Sequence, residues 1–272
     1  MLTVSEALAE ATQREPELAP YYELHRTLLE LQEKAREEIR AALEMVDEEA
    51  LQARTLQGLP LLSFDQLPIK ADRFARLATE IAEVLVEHEV EARDSSLPGT
   101  APEWVPLAQE RFEAGQVVGE GERGEELQAT EATLAQIAAD QALRPYLTWA
   151  AEQVLSYVDQ ERWKRGYCPA CGGAPDFATL EAETGARHLM CSRCNSRWIY
   201  RRVGCPFCGT IDHTKLMYYP SEDKVYRLYV CQACQRYLKT MDLRRATRAV
   251  LPTVERIVTV AMDAAAHQEG YR

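Results

Sequence analysis

The chain is constrained most by its cysteines, which occur as four pairs with two residues between the partners. The pairs are Cys168 and Cys171, Cys191 and Cys194, Cys205 and Cys208, and Cys231 and Cys234. A C-x-x-C turn can direct two sulfurs at one metal ion, and two such turns supply the four thiolates of a closed tetrahedral site. One pair alone would also fit a redox motif, whereas four pairs, with no cysteine elsewhere, predict two metal sites.

The spacing favours pairing of C-x-x-C motifs that are neighbours in sequence. Nineteen residues separate Cys171 from Cys191, and twenty-two separate Cys208 from Cys231. These gaps are close to the roughly 15–20 residues typical of a two-turn zinc site. The first four cysteines are therefore predicted to bind one ion and the last four a second. A nested arrangement, which joins the second pair to the third, stays open at this stage.

The two halves of the cysteine-rich part resemble each other and form an internal repeat. Each begins with C-P-x-C-G, at Cys168 and Cys205, and each has an arginine four residues before its second motif, at Arg187 and Arg227. Between its motifs, each half has two short runs rich in β-branched and aromatic residues around a turn-prone segment. These runs predict two β-hairpins, 177–181 with 187–190 and 215–219 with 224–230. The nested arrangement would break this repeat.

The residues before the cysteines have the apolar periodicity of α-helices. For example, Phe74, Leu77 and Ile81 recur at three- and four-residue steps, which places them on one helix face. A bundle of five or six helices is expected, and Pro145 is expected in the first turn of its last helix. A final helix is expected from about residue 245 to 267, with an apolar face that packs back on the bundle.

The predicted fold class is mostly α. A helical bundle at 1–165 is followed by zinc-ribbon-type modules at 166–203 and 204–243, and by a C-terminal helix at 244–272. Four-sulfur tetrahedral ligation fits zinc or iron. Since a module of about forty residues has a small core, we expect metal binding to supply much of its folding free energy. The helical bundle is not expected to depend on metal.

Charge is divided unevenly along the chain. Residues 1–160 have 13 Lys and Arg against 32 Asp and Glu, and the remainder has 18 against 11, which gives −19 and +7 and a total of −12. Solvated helix faces are the expected explanation of the acidic part, and an acidic docking surface is the alternative. Basic and aromatic side chains, namely Arg193, Arg197, Trp198, Tyr200, Arg201 and Arg202, could contact phosphates and stack on bases. Thiolate sites of charge about −2 each and the acidic bundle argue against nucleic acid as a partner.

Motifs for catalysis and for export are absent from the sequence. It has no H-E-x-x-H, no phosphate-binding glycine loop and no predicted catalytic residue. His188 and His213 lie within the modules but are not needed as ligands, and Trp198 and Tyr237 are expected to pack. No secretory signal and no apolar run near the roughly 20 residues of a membrane span are present. Paired thiols without such a signal predict metal ligands in the reducing cytoplasm.

Three stretches resemble the formate dehydrogenase accessory protein family, FdhE. They are G-A-R-H-L-M-C-S-R-C-N-S-R-W-I-Y-R-R-V-G-C-P-F-C at 185–208, C-Q-A-C-Q-R-Y-L-K at 231–239, and A-M-D-A-A-A-H-Q-E-G-Y-R at the chain end. The resemblance extends from about residue 160 to the end and includes all eight cysteines. Gln235 stands where the family often has glycine, and residues 241–253 match poorly.

The resemblance implies an α-helical N-terminal part, two rubredoxin-like modules and a cytoplasmic protein that binds iron. It also implies a non-enzymatic, chaperone-like factor that contacts the formate dehydrogenase catalytic subunit during maturation. Zinc is expected in recombinant protein because either ion fills the same tetrahedron. The four arginines at 193, 197, 201 and 202 are the hypothesised contact surface. The alternatives are a nucleic-acid-binding zinc-ribbon protein and a rubredoxin-like electron carrier.

Overall fold

The computed structural model describes residues 3–39, 48–117 and 132–272. The α-helices in these ranges are α1 (Val4–Arg14), α2 (Ala19–Glu38), α3 (Glu48–Gln57), α4 (Ala71–Glu87), α5 (Ala101–Ala114), α6 (Leu134–Val154), α7 (Pro252–Val258) and α8 (Val260–Gln268). The strands are β1 (Pro175–Leu180), β2 (Arg187–Cys191), β3 (Arg197–Tyr200), β4 (Leu216–Pro220), β5 (Tyr226–Cys231) and β6 (Arg236–Asp242).

Helix α6 is the centre of the helical part and packs against α2, α4 and α5. Its buried face is rich in alanine, including Ala138, Ala142 and Ala150, whose small side chains let the neighbouring helices approach closely. Across from it, α4 buries Phe74 and Ile81 completely, as the apolar periodicity predicts. The predicted helical bundle is thus present, and α6 joins its members.

Pro145 lies in the interior of α6, and its predicted first-turn position is wrong. The helix begins earlier, behind Thr133. The Thr133 hydroxyl accepts a hydrogen bond from the backbone N–H of Gln136 at 3.2 Å, and the Gln136 side chain accepts one from the backbone N–H of Thr133 at 3.0 Å. This reciprocal cap fixes the helix start, and burial of the Pro145 ring offsets the missing backbone donor.

All six strands form one sheet in the order β3-β2-β1-β6-β5-β4. Both predicted hairpins are confirmed as the antiparallel pairs β1–β2 and β4–β5. Each half of the repeat adds a third strand after its second C-x-x-C, β3 in the first half and β6 in the second, which the sequence analysis did not predict. Every neighbouring pair is antiparallel except β1 and β6, which are parallel, with Phe177 opposite Lys239 and Leu180 opposite Asp242.

The two halves of the repeat are therefore two three-stranded units that share a sheet. The tandem modules expected from the sequence would each have had a sheet of its own. The parallel pairing of β1 with β6 joins units whose strands are far apart in sequence, and a local repeat pattern contains no information about such a pairing.

The main apolar core is continuous from the helices into the first unit. Phe74 of α4 and Leu147 of α6 belong to the same buried cluster as Cys168, Leu189 and Trp198. The helical part is therefore not an independent body beside the cysteine-rich part. This continuity argues against the expectation that the bundle is independent of metal.

The expected C-terminal helix is divided into two parts with different neighbours. It begins at Pro252 and is interrupted at Thr259, where α7 ends and α8 begins. Val254 and Ile257 of α7 pack with Leu8 of α1, so this part covers the bundle as expected. Ala266 of α8 instead packs on Leu228 and Val230 of β5. The C-terminal segment thus covers both the helices and the sheet.

Arg256 of α7 fastens the C-terminal segment to the first unit. It is paired with Asp176 of β1, donates to the side-chain oxygen of Asn195 at 2.6 Å and donates to the backbone oxygen of Ser192 at 3.1 Å. Its side chain is only 9% exposed, so solvent screens these contacts weakly.

Replacing Arg256 with methionine is expected to lower the free energy of unfolding by about 2 kcal/mol, because Asp176 and two half-buried acceptors lose their partner. Arg26→Met is the matched control. Arg26 also pairs with two carboxylates, Glu23 and Glu30, but on the exposed surface, so the loss should be below about 1 kcal/mol. Urea unfolding followed by circular dichroism measures both, and equal losses would contradict the fastening role.

Candidate metal centres

The structure brings the eight cysteines together in two groups of four. The first consists of Cys168, Cys171, Cys191 and Cys194, and the second of Cys205, Cys208, Cys231 and Cys234. Within each group all four sulfurs lie within 4.8 Å of one another. The groups are those that the spacing and the repeat favour, and the nested arrangement does not occur. Each could hold one metal ion.

The separation between the sulfurs fits a tetrahedral ion. In the first cluster, three Sγ–Sγ distances are 3.5 Å, and in the second, two are 3.6 and 3.7 Å. A tetrahedron with metal–sulfur bonds of about 2.3 Å has edges of about 3.8 Å. A disulfide would instead need a sulfur separation of about 2.05 Å. All eight cysteines are free thiols, and the two sets of donors have the size and chemistry of zinc or iron sites.

The same backbone turn forms each of the four C-x-x-C motifs. The residue directly after each motif has a positive φ, namely Gly172 (77°), Asn195 (58°), Gly209 (72°) and Gln235 (57°). In three of the four turns, the N–H of this residue donates to the carbonyl of the first cysteine at 2.8 to 3.0 Å. Glycine adopts this conformation without steric cost. Gln235 adopts it too, so its departure from the family's usual glycine leaves the turn unchanged.

The closely packed thiols shift one another's pKa values. Burial raises the pKa of Cys168 and Cys194, whereas hydrogen bonds from the neighbouring thiols, Cys168 first, lower that of Cys171. In the second cluster, the hydrogen bond between Cys205 and Cys234 raises the pKa of Cys205 and lowers that of Cys234 to about 5. Each cluster thus favours one thiolate and opposes further ones. A bound cation removes this opposition because it takes the place of the shared protons.

The two clusters differ in their surroundings. The first is completely enclosed, with each cysteine at most 2% exposed, whereas Cys208 and Cys234 of the second are half-buried. Backbone hydrogen bonds tie the first C-x-x-C turn to the helical part, from Leu61 N–H to Pro169 O at 2.9 Å, Leu62 N–H to Ala170 O at 2.9 Å, and Val117 N–H to Gly172 O at 2.8 Å. The first cluster is thus built into the core, and the second lies near the surface.

The other residues that the sequence singled out are not part of either cluster. His188 contacts Glu181 at 3.1 Å, and His213 lies in an exposed turn. Trp198 is buried and donates from its indole N–H to the carbonyl of Arg165 at 2.9 Å. The hydroxyl of Tyr237 donates to Asp263 at 2.8 Å. The expected packing roles of Trp198 and Tyr237 agree with these contacts.

The four arginines proposed as one contact surface point to different places. Arg193 lies over the ring of Phe112 at 5.4 Å and donates to a backbone carbonyl of α5, so it is part of the contact with the helices. Arg197 is paired with Glu181. Arg201 lies over the ring of Tyr200, and Arg202 is exposed. The structure therefore argues against this hypothesis, because Arg193 and Arg197 are held by contacts within the protein.

Comparison with known proteins gives a consistent result. The family model described as FdhE, central domain, matches residues 167–202. An FdhE homolog from Aquifex aeolicus is 36% identical over 133 residues, which cover 47% of this chain and 46% of that protein. One from Pseudomonas aeruginosa is 32% identical over 119 residues, which cover 41% and 38%. The matched segments thus span less than half of either relative.

The crystal structure of the FdhE protein from Pseudomonas aeruginosa has the same fold. It matches this chain with a TM-score of 0.61 and 24% identity, over 99% of this chain and 91% of that one. Fold and clusters define a protein in which two four-cysteine units share one sheet beside a helical bundle. The chain is similar to FdhE proteins in its central, cysteine-rich part and has the fold of one of them. Among the residues that the structure describes, no helix is long and apolar enough to cross a membrane.

Alanine at the two glycines that follow the C-P-x-C turns tests the turn geometry. At Gly209 an added Cβ would meet no atom within 4 Å, so only the positive φ is unfavourable, at about 1 kcal/mol. At Gly172 the Cβ would also lie 2.9 Å from Cγ of Pro60, so Gly172→Ala is expected to cost about 2–3 kcal/mol. Denaturant unfolding compares the two, and a smaller loss for Gly172→Ala would contradict this account.

Serine substitution in each cluster tests the metal sites and their different surroundings. Elemental analysis should find two ions in the wild type and one in either Cys171→Ser or Cys208→Ser. Because the first cluster lies in the shared core, Cys171→Ser should lower the melting temperature of the helices by about 10 °C, on the order of 3–5 kcal/mol. Cys208→Ser should leave helix melting nearly unchanged and increase proteolysis around residues 205–234. Equal effects on helix melting would show that the bundle and the first cluster are uncoupled.

Proposed function

We propose that this protein is a non-enzymatic assembly or maturation factor for formate dehydrogenase, and that it binds the catalytic subunit of that enzyme. The resemblance of the sequence to the FdhE family supports formate dehydrogenase as the client. The observation that carries the non-enzymatic role is the closure of both clusters by four cysteines. Four thiolates complete the tetrahedral coordination of an ion, so no coordination position is left for a substrate. Such closure is typical of structural metal sites and not of catalytic ones.

In this proposal all eight cysteines are metal ligands. Cys168, Cys171, Cys191 and Cys194 bind one ion, and Cys205, Cys208, Cys231 and Cys234 bind the other. The ions stabilise the turns from which the sheet begins, and the first also links the sheet to the helices. We propose iron in the cell and zinc in recombinant protein, because a four-thiolate tetrahedron accepts either. Free thiols and metal ligands of this kind fit the reducing cytoplasm, which is the proposed location.

The proposed parts of the chain are a helical bundle at 1–165, rubredoxin-like units at 166–203 and 204–243, and a C-terminal segment at 244–272. They act as one body, because the sheet joins the two units and Arg256 fastens the C-terminal segment to the first. A factor that presents one rigid surface loses little conformational entropy when it binds a client.

Nucleic acid is a weaker candidate as partner than a protein. Non-specific nucleic-acid binding needs a continuous positive surface along the phosphate backbone. Arg193 and Arg197, two of the four basic residues that could have formed one, are held by contacts within the protein. The chain as a whole has a net charge of −12. These observations favour a protein client.

Capture of the purified catalytic subunit of formate dehydrogenase by the immobilised wild-type protein tests the proposed function. Capture is expected at low and at moderate salt, since a protein–protein surface depends only moderately on ionic strength. A gel-shift assay with nucleic acid is the parallel measurement, and no shift is expected. Nucleic-acid binding that weakens steeply with salt, together with no capture of the subunit, would refute the proposal.

A further inference from the structure

A cleft of about 310 Å³ lies over the second unit, next to the second cluster. Its floor is the face of β4, β5 and β6 that includes Tyr218 and Tyr229, which are opposite each other in the sheet. The segment 202–207 and Arg187 of β2 also line the cleft. Volumes of this size are typical of ligand sites. The metal-binding role of the neighbouring cysteines does not explain the cleft.

Arginine and aromatic side chains alternate in the cleft. The guanidinium of Arg187 lies 5.1 Å from the ring centre of Tyr229, and that of Arg227 lies 5.0 Å from the ring centre of Tyr218. The rings of these two tyrosines are 5.4 Å apart. Across the cleft, Arg236 lies over Phe207 at 4.0 Å. The rings hold the guanidinium groups in place by cation–π attraction.

Arg187 has an unused hydrogen-bond donor in this cleft. Its side chain is almost completely buried, with the residue 3% exposed. One terminal nitrogen, Nη1, donates to the carbonyl of Gly204 at 3.0 Å, but the buried Nε–H has no hydrogen-bond partner in the described part of the chain. A buried donor on a cation is unfavourable unless an acceptor binds it. The missing partner is therefore an acceptor, and an anionic one matches the charge.

The balance of charge in the cleft also favours an anion. Arg227 is neutralised by Asp242, which is paired with Arg244 as well. No aspartate or glutamate is among the described residues that line the cleft, whereas Arg187 and Arg202 are. The lining is otherwise mostly apolar, so a bound anion would be only weakly screened. The ligand therefore combines a negative group with apolar surface.

The covered rings distinguish between classes of anion. Tyr218, Tyr229 and Phe207 each have a guanidinium over the ring. A nucleobase could stack on these ring faces only by displacing the guanidinium groups, whereas a carboxylate needs only the N–H edges of the guanidinium groups. The geometry favours a carboxylate on an aliphatic stem.

Strand β4, which borders the cleft, is the open edge of the sheet. Among the described strands it pairs with β5 alone, and its residues Met217, Tyr218 and Tyr219 are 38%, 51% and 49% exposed. An edge strand with apolar side chains can accept another extended segment through backbone hydrogen bonds, and neighbouring pockets then bind alternate side chains. This neighbourhood points to a polypeptide as the source of the carboxylate.

We propose that the cleft binds an extended acidic segment of a polypeptide, which lies along β4 and places a glutamate or aspartate carboxylate at Arg187 and Arg202. That the segment belongs to the catalytic subunit rests on the proposed function. The binding of an acidic peptide does not rest on it.

Titration calorimetry with an end-blocked peptide of alternating glutamate and valine tests the inference on the full-length, metal-loaded protein. We expect binding that weakens about tenfold when glutamine replaces glutamate in the peptide. The variant Arg187→Gln/Arg202→Gln should weaken it by about the same factor. Arg201→Gln is the matched control, because Arg201 is next to Arg202 but does not line the cleft, and it should change affinity less than about twofold.

Equal affinity of wild type and double variant, or tighter binding of adenosine monophosphate than of the glutamate peptide, would overturn the inference. Circular dichroism and metal content establish that each variant is folded. If the double variant is not folded, Arg202→Gln alone is measured in its place. Capture of the catalytic subunit by the same proteins separates the two proposals. Peptide binding without any capture by the wild type would refute the proposed function alone. Equal capture by wild type and double variant would refute only the assignment of the acidic segment to the catalytic subunit.

Discussion

The mutual repulsion of four buried sulfurs in the first cluster is the constraint on which the rest of the structure depends. Cys168, Cys171, Cys191 and Cys194 lie about 3.5 Å apart inside a core that also contains the helices. Four thiolates in such a place are tolerated only around a cation. The core thus contains a site that could hold a metal ion, and two loops of the helical part are hydrogen-bonded to the same turn. The folding of the helices and the chemistry of the sulfurs are therefore linked.

Local pattern predicted much of the site and only part of the fold. The spacing of the cysteines and the duplicated arginine were enough to group the sulfurs and to place both hairpins, because these features are formed by residues near in sequence. The pairing of β1 with β6 and the division between α7 and α8 depend on contacts between distant segments. Pro145 shows the same limit, since the cap at Thr133 and the burial of the ring outweighed the usual preference of proline.

The distribution of charge along the sequence predicted the partner surface less well than local pattern predicted the site. It does not show which charged side chains face the interior of the protein. The cysteine-rich part has an excess of positive charge in sequence, but Arg256 and Arg187 are buried and Arg193 packs on Phe112. Arg256 pairs with the carboxylate of Asp176, and Arg187 and Arg193 lie against the rings of Tyr229 and Phe112, so these charges are not spread over the exposed surface. The sequence contained a signal for one of these inward-facing arginines, because Arg187 occupies the same place in its repeat as Arg227.

The parallel pairing of β1 with β6 also sets an order of events during protein synthesis. The first unit leaves the ribosome with all four of its cysteines, but its strand β1 remains an unpaired edge until residues 236–242 have been made. Until then the nascent chain exposes strand groups that readily join other chains. A protein of this design can bind its first ion early in its synthesis, but the edge of β1 is covered only late. It therefore needs protection from aggregation before its own sheet is complete.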